Sequence, residues 1–182
     1  MIGQIKSQKL HLPKISDMKI DLISLLDNAK LNKKENDIYL RGLRNHKEEH
    51  IFTEIKKIHQ EVFTKIDCIE CANCCKTIPA LVTNSDIKRI ASVLNISAKQ
   101  FLRKYVLEDI NGEMTLNGVP CRFLNEDNTC SIYEVRPEAC RRFPHTDEKE
   151  YPRRTSLNLA NTLVCPAAVQ VLQLLKNVIP LV

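Results

Sequence analysis

The sequence predicts a mainly α-helical protein with small β elements, in the α+β class. Apolar residues recur every three or four positions in the first third of the chain and again near its end, a spacing typical of amphipathic helices. Eight cysteines all lie after residue 67, in a region where most apolar runs are short. For that region we expect an irregular cysteine domain packed with helices and carrying one short β-hairpin.

The 182 residues suffice for one domain with a helical extension. We place a helical extension at residues 1–67. The cysteine domain, which includes a C-terminal helix, is placed at residues 68–182. This boundary follows from the cysteines, since none of them precedes it.

Two helical segments are predicted within the extension, after a loosely attached tail at residues 1–15. Ser16 is the candidate N-cap of a first helix that ends near Ala29. A second, highly charged helical pattern runs from Lys33 to Ile66, with a candidate break at Gly42. It leads directly into the first cysteine and should pack over the cysteine domain.

Two capping boxes predict a pair of helices after the first cysteines. Thr83 with Asp86 forms one box, and Ser97 with Gln100 forms the other. The helices would form a hairpin that covers the cysteine domain. Their exposed basic residues leave open a helix-turn-helix that binds nucleic acid.

The predicted β-hairpin is centred on Asn117-Gly118, which lies between short apolar runs. At the other end of the chain, Cys165-Pro166 precedes the apolar C-terminal helix. Proline suits the first helical position, which would make Cys165 the N-cap. There the helix dipole and free N–H groups should lower the thiol pKa.

Four cysteines lie within eight residues, in the order Cys68, Cys71, Cys74 and Cys75. A Cys-x-x-Cys spacing lets the chain curl round a metal so that two thiolates face it. The first three recur every third residue, as at the opening of the bacterial ferredoxin ligand run. Cys75 departs from that run because it is adjacent to Cys74. One of these two adjacent cysteines could bind a second metal, bridge two metals or be buried.

The remaining cysteines are candidate ligands supplied from far along the chain. These are Cys121, Cys130, Cys140 and Cys165. Cys121 and Cys130 flank a polar turn, a common way to present two ligands. Cys140 would lie one turn into a short helix that starts at Pro137. Disulfides are the main alternative, but the first six residues contain no apolar signal-peptide core. We therefore predict at least one metal site.

Several separated blocks resemble the CxxCxxCC cysteine-cluster family, described as a zinc- or iron-chelating domain. Besides the opening cluster, the matching blocks are Cys121-Arg-Phe-Leu, Cys130-Ser-Ile-Tyr and Arg136-Pro-Glu-Ala-Cys140-Arg-Arg-Phe-Pro144. The resemblance runs from about Cys68 to Cys165 and implies metal chelation. A flagellin lysine N-methylase family is similar in its cysteine arrangement, which would extend the function to protein modification.

Other patterns restrict the partners. The glycine-rich phosphate loops are absent, which argues against a nucleotide-binding fold. No long uncharged apolar run occurs, so we expect no membrane span and a cytoplasmic location. The net charge of +5 can offset negative metal–thiolate centres, so nucleic acid is not an expected partner, whereas a protein partner is. His46 and His50 lack the glutamate of a H-E-x-x-H zinc motif and are expected to be solvated.

The leading hypothesis is a metal-binding protein that chelates an iron–sulfur cluster or zinc through its clustered cysteines. The Cys165-Pro166 pair and the triple-cysteine run favour the iron–sulfur cluster. Two alternatives remain open at this point. One is a methylase-like enzyme that uses the cluster. The other is a zinc-stabilised adaptor that binds nucleic acid or protein through basic residues. These are Lys88, Arg89, Arg103 and Lys104.

Overall fold

The computed structural model describes residues 21–46 and 48–181, which are mainly helical with one small sheet, as predicted. The helices are α1 (Leu22–Leu31), α2 (Lys33–Gly42), α3 (Glu48–Phe63), α4 (Cys68–Cys71), α5 (Asn73–Thr77), α6 (Asn84–Val93), α7 (Ala98–Tyr105), α8 (Glu138–Arg142), α9 (Thr155–Thr162) and α10 (Pro166–Val178). The strands are β1 (Val106–Glu108) and β2 (Met114–Leu116). The predicted tail and the Ser16 cap lie outside the described residues.

The N-terminal helices begin and end at identifiable residues. The Asp21 carboxylate caps α1 by accepting hydrogen bonds from the backbone N–H groups of Ile23 (3.0 Å) and Ser24 (3.2 Å). The predicted break at Gly42 is confirmed, because α2 ends there. A Cβ at this glycine would lie 2.4 Å from Cδ1 of Leu181, so the close approach of the C-terminal segment requires the missing side chain.

The first hydrophobic core joins the N-terminal helices to the end of the chain. α10 packs against α1, α3 and α9, and the hydroxyl of Tyr39 donates a 2.9 Å hydrogen bond to the backbone carbonyl of Ile179. The buried residues include Leu40, Leu43, Ile51, Ile55, Val62, Tyr151, Val171, Leu172 and Leu175. This core spans the proposed boundary at residue 67, which itself stays a prediction.

The second hydrophobic core lies under α6 and α7. Both predicted capping boxes are present, so each helix starts where the sequence indicated. Phe101, Tyr105 and Phe123 form an aromatic group, with ring centroids 5.1 to 6.3 Å apart. Leu116 and Ile132 complete the buried surface from the strand and the cysteine region. The helical pair therefore covers the cysteine region, as expected.

The β-hairpin lies upstream of the predicted position. β1 pairs antiparallel with β2, so the turn is formed by residues 109–113 instead of Asn117-Gly118. The Asp109 carboxylate accepts from the backbone N–H groups of Asn111 and Glu113, both at 2.8 Å. Gly112 has a φ of 80°, which glycine adopts without strain. The Asp-x-x-Gly turn therefore closes the hairpin.

The strand predicted to follow Asn117-Gly118 does not form, because its backbone cannot complete a ladder. Pro120 has no N–H to donate to a ladder. The backbone N–H of Asn117 instead donates to the carbonyl of Tyr105 at 2.8 Å. On the other side of β2 lies an extended segment at residues 80–82. Its Val82 N–H donates to Met114 (2.9 Å), and its Ala80 carbonyl accepts from Leu116 (2.8 Å).

α9 was not predicted, because its buried face is polar. The Asn158 side-chain amide donates to the Tyr151 carbonyl (2.6 Å), and the Asn161 amide donates to the Pro144 carbonyl (2.8 Å). Hydrophobic periodicity cannot detect such a helix. Among the described residues, no single helix is long and apolar enough to span a membrane. α9 and α10 reach that length and composition only together, with a bend of 119° between them.

Candidate metal centre

The Cys68–Cys75 segment folds into two consecutive single-turn helices. The Asp67 carboxylate caps α4 by accepting from the backbone N–H of Ile69 at 2.8 Å. α4 ends at Ala72, which has a left-handed φ of 47° and is buried. α5 starts at the next residue. The reversal at Ala72 costs about 1 kcal/mol for a residue other than glycine, and it folds the two pairs of cysteines back toward each other.

Cys68, Cys71 and Cys74 line a small apolar cavity together with Cys165. The other walls of this cavity are formed by Ile66, Ala72, Asn73, Phe143, Pro144, Val164, Pro166 and Ala167. A cysteine from the far end of the sequence thus joins three from the cluster. Cys165 thus lies beside the cluster, as predicted. Its role as a metal ligand stays a proposal.

Cys165 is the N-cap of α10, and Pro166 occupies the first turn, as predicted. The predicted direction of its pKa is wrong. Burial raises the pKa of Cys165 to about 12, and the hydrogen bonds from the N–H groups of Ala168 and Ala167 only reduce this rise. Desolvation of the thiolate therefore outweighs the helix N-terminus when no cation is present.

Asn73 fixes the approach of Cys165. Its side-chain amide donates a 2.7 Å hydrogen bond to the backbone carbonyl of Val164, the residue before Cys165. The bond joins α5 to the start of α10 across 91 residues of sequence. Sequence reasoning missed this role, because Asn73 is one of the variable positions in the Cys-x-x-Cys spacing. Its partner could not be read from the sequence.

Cys75 faces a different set of cysteines. The backbone N–H of Cys121 donates to the Cys75 carbonyl at 2.7 Å, so these two residues lie side by side. Cys121 and Cys130 flank a loop closed by the bond from the Asn125 N–H to the Thr129 carbonyl (2.8 Å), as predicted. Cys140 is the third residue of α8, which begins at Glu138 with Pro137 as its N-cap, one residue later than predicted. The neighbouring thiols of Cys75, Cys121 and Cys130 act electrostatically on Cys140.

The segment that carries Cys140 is held by a buried carboxylate. Asp86 is 1% exposed, and one of its oxygens accepts from the backbone N–H of Glu138 (3.1 Å) and from the Arg89 guanidinium (2.5 Å). The same guanidinium donates to the backbone carbonyl of Arg136 at 2.9 Å. Sequence analysis assigned Asp86 to a capping box, but its link to α8 is a tertiary contact with no local signal.

Burial and hydrogen bonding set the charge state of Asp86. Burial raises the pKa of this carboxyl, but hydrogen bonds from Thr83, Arg89 and Glu138 outweigh burial, so the pKa lies below its ordinary value. Asp86 is therefore an anion at neutral pH. The Arg89 guanidinium is paired with Asp86 within the protein. Arg89 is therefore not a free surface charge of the kind that the adaptor alternative needs.

Burial also controls most of the thiols. It raises the pKa of Cys68, Cys121 and Cys130, and it raises the pKa of Cys140 to about 12. The positive charge of Arg136 opposes the rise at Cys68, Cys130 and Cys140. These thiols hold their protons at neutral pH unless a cation compensates the thiolate charge.

Cys74 and Cys75 form a hydrogen-bonded pair, with their Sγ atoms 4.0 Å apart. The hydrogen bond raises the pKa of Cys74 and lowers the pKa of Cys75 to about 7. All eight cysteines are free thiols, so none is engaged in the disulfides weighed as an alternative.

None of the four histidines in the described residues lines the cysteine pocket. His46 and His50 are exposed and do not share a helix, because His46 precedes α3. Nδ1 of His59 lies 2.8 Å from the Thr146 hydroxyl, and Nδ1 of His145 lies 2.7 Å from a Glu148 carboxylate oxygen. These contacts give both half-buried histidines a partner within the protein.

The donor chemistry fits a thiolate-binding metal, since four thiols line a pocket whose other walls carry no charged side chain. Across residues 21–46 and 48–181, no three Cys, His, Asp or Glu side chains converge tightly enough to hold an ion without rearrangement. To bind a metal, these thiols must lose their protons, and their side chains must rotate toward the ion.

Fold and site together define a mainly helical protein with eight clustered thiols. Residues 67–165 match the family model CxxCxxCC, described as "Putative zinc- or iron-chelating domain". The match covers more than half of the chain, which therefore belongs to this family. The resemblance inferred from the motifs is confirmed. No curated protein and no solved structure matches the chain.

Proposed function

We propose that this protein holds an iron–sulfur cluster or zinc through its clustered cysteines. The proposed ligands are Cys68, Cys71, Cys74, Cys75, Cys121, Cys130, Cys140 and Cys165. The observation that carries the proposal is the cavity at the start of α10, where Cys165 meets Cys68, Cys71 and Cys74. A metal bound by four thiolates needs such a shared position for thiols that are far apart in sequence.

Ligation by cysteines alone restricts what the metal would do. Four thiolates complete the tetrahedral shell of zinc and leave no position for water, so zinc here would be structural or regulatory. Four thiolates equally suit an iron–sulfur cluster, which would move electrons or support modification chemistry. The Cys165-Pro166 pair at the N-terminus of α10 matches the end of the ferredoxin ligand run and supports the cluster.

The protein's own groups would assist in two ways. The Arg136 guanidinium lies near enough to lower the pKa of Cys68, Cys130 and Cys140, so it would offset part of the thiolate charge. Its position is fixed by stacking on Tyr133, 3.7 Å from the ring centroid, and by a 2.7 Å bond to the Tyr133 carbonyl. We also propose a reducing, cytoplasmic environment, because free thiols persist where disulfides do not form. A protein is the second proposed partner, besides the metal.

Metal content of a cysteine variant tests this proposal. Protein carrying Cys71→Ser and purified without oxygen should contain less iron or zinc per chain than the unaltered protein. Glu70→Gln is the matched control, since Glu70 is an exposed neighbour on the same helix without a thiol. Equal metal content in the Cys71→Ser and control proteins would refute the proposal.

A further inference from the structure

We infer that the eight cysteines form two separate four-thiol metal centres that meet at the consecutive residues Cys74 and Cys75. The first centre would consist of Cys68, Cys71, Cys74 and Cys165. The second would consist of Cys75, Cys121, Cys130 and Cys140. This inference rests on the proposed function and assigns each thiol to one metal.

The first centre is defined by its cavity. Its four thiols line one apolar pocket, and none of the other cysteines contributes to the walls of that pocket. The electrostatic contributions overlap at the junction: Cys68 and Cys71 act on Cys165, and Cys165 and Cys68 act on Cys74, but Cys75 also acts on Cys74 and Cys68. The grouping therefore rests on the shared pocket. An apolar wall of Phe143 and Pro144 closes the pocket and would shield the bound metal from water.

The second centre is defined by the chain path around Cys75. The 2.7 Å bond between the Cys121 N–H and the Cys75 carbonyl places these residues together. The bridge between Leu124 and Cys130 then returns the chain to the same place, with a 2.9 Å bond from the Ser131 N–H to the Phe123 carbonyl. The charge of Cys75 raises the pKa of Cys121, Cys130 and Cys140. The cysteines of the first centre are not among the main influences on these three pKa values.

The junction between the two centres is helix α5. Consecutive residues on a helix point roughly 100° apart, so Cys74 and Cys75 can each join a different set of ligands, although their Sγ atoms lie 4.0 Å apart. Cys74 faces the cavity at Cys165, and Cys75 faces the loop that carries Cys121. The adjacent cysteine that breaks the ferredoxin spacing is thus explained, because it begins a second ligand set.

The two centres are also held by separate anchors. The bond from Asn73 to the Val164 carbonyl positions the most distant ligand of the first centre. The bond from the Glu138 N–H to Asp86 positions the most distant ligand of the second. The anchors share no residue. Cys165 packs against the first hydrophobic core, whereas Cys121 and Cys130 pack against the second. One centre should therefore be removable while the other persists.

Titration of the full-length, reduced, metal-free chain with Co²⁺ tests the assignment, because cobalt bound by four thiolates absorbs visible light. The unaltered chain should bind two equivalents. The decisive comparison uses two double variants with the same number of cysteines removed. C68S/C165S removes two thiols of the first centre and should still bind one equivalent. C140S/C165S removes one thiol from each centre and should bind none with the four-thiolate spectrum.

The outcomes separate failure of the pairing from failure of the proposed function. One equivalent in the unaltered chain, or equal binding by the two double variants, would overturn the pairing while leaving metal chelation intact. No cobalt binding by the unaltered chain would overturn the proposed function as well. The retained equivalent in C68S/C165S shows that loss in C140S/C165S does not come from general unfolding, and the far-ultraviolet circular dichroism of both variants provides the second check.

Discussion

The side-chain amide of Asn73 donates a 2.7 Å hydrogen bond to the backbone carbonyl of Val164. Through this bond a residue inside the Cys-x-x-Cys spacing holds the start of α10, where Cys165 is the N-cap. The opening cluster and the last cysteine are thus joined by a contact that does not involve sulfur. The site is therefore organised by the protein fold before any metal enters.

Substitution of Asn73 by alanine should weaken metal binding without unfolding the chain. The variant loses one hydrogen bond and leaves the Val164 carbonyl unpaired, a cost of about 1 kcal/mol, or roughly fivefold in affinity. Competition for Zn²⁺ against a coloured chelator measures the change. Asn84→Ala is the matched control, because Asn84 is an exposed asparagine on α6, away from this contact. Equal affinities of both variants would contradict the anchoring role.

Substitution of Asp86 by asparagine should lower stability, because the buried carboxylate accepts hydrogen bonds from Thr83, Arg89 and Glu138. The loss of charge-assisted hydrogen bonds should cost about 2 kcal/mol in the free energy of unfolding. Urea denaturation measures this. Asp27→Asn is the control, since Asp27 forms an exposed ion pair with Lys30, worth little to stability.

The same carboxylate predicts a pH dependence. The folded-state pKa of Asp86 lies below the ordinary value of 3.8, so its contribution to stability is present above that value. It is lost as the pH falls through the lower, folded-state pKa. The difference in unfolding free energy between the unaltered chain and Asp86→Asn should therefore shrink as the pH is lowered from 6 toward 3, in parallel urea titrations. A difference that stays constant would show that the carboxylate charge is not responsible.

Metal affinity should rise with pH. Burial raises the pKa of Cys121, Cys130, Cys140 and Cys165, so a metal must displace protons from these thiols. Each proton released lowers the apparent association constant by about tenfold per unit decrease in pH. Calorimetric titration with Zn²⁺ in two buffers of different ionisation enthalpy counts the protons directly. Binding without proton release would mean that the thiols are not the ligands.

A pair of isoleucines tests the first hydrophobic core. Ile38 and Ile55 are both apolar residues of the helical pattern predicted from Lys33 to Ile66, but Ile38 is 62% exposed whereas Ile55 is fully buried. Ile55→Ala should cost about 2 to 5 kcal/mol in the free energy of unfolding, because it leaves a cavity between α3 and α10. Ile38→Ala, the same chemical change, should cost less than about 0.5 kcal/mol. Similar losses for both would contradict the packing described.

What could be predicted from the sequence depended on how local its cause was. The capping boxes at Thr83 and Ser97, and the N-cap position of Cys165, are set by residues within one turn, and all three are confirmed. The hairpin was misplaced, because Asn117-Gly118 competed with the Asp109 turn and Pro120 blocks the second ladder. Two local signals of similar strength cannot be ranked without the strands they join.

The contacts that shape the site were beyond sequence reasoning. Asn73 and Asp86 find their partners 91 and 52 residues away, and nothing in the flanking residues indicates this. The pKa of Cys165 was predicted in the wrong direction for a related reason. The helix N-terminus is a local feature, but the burial that outweighs it depends on the packing of the whole domain.

Metal analysis of the unaltered protein tests the central claim most directly. The chain would be purified without oxygen, and its iron, zinc and acid-labile sulfide would be measured together with its visible absorption spectrum. The account predicts a bound metal, either iron with sulfide and a brown colour, or stoichiometric zinc in a colourless protein. Metal-free protein with all eight thiols free, even after incubation with either metal under reducing conditions, would contradict it.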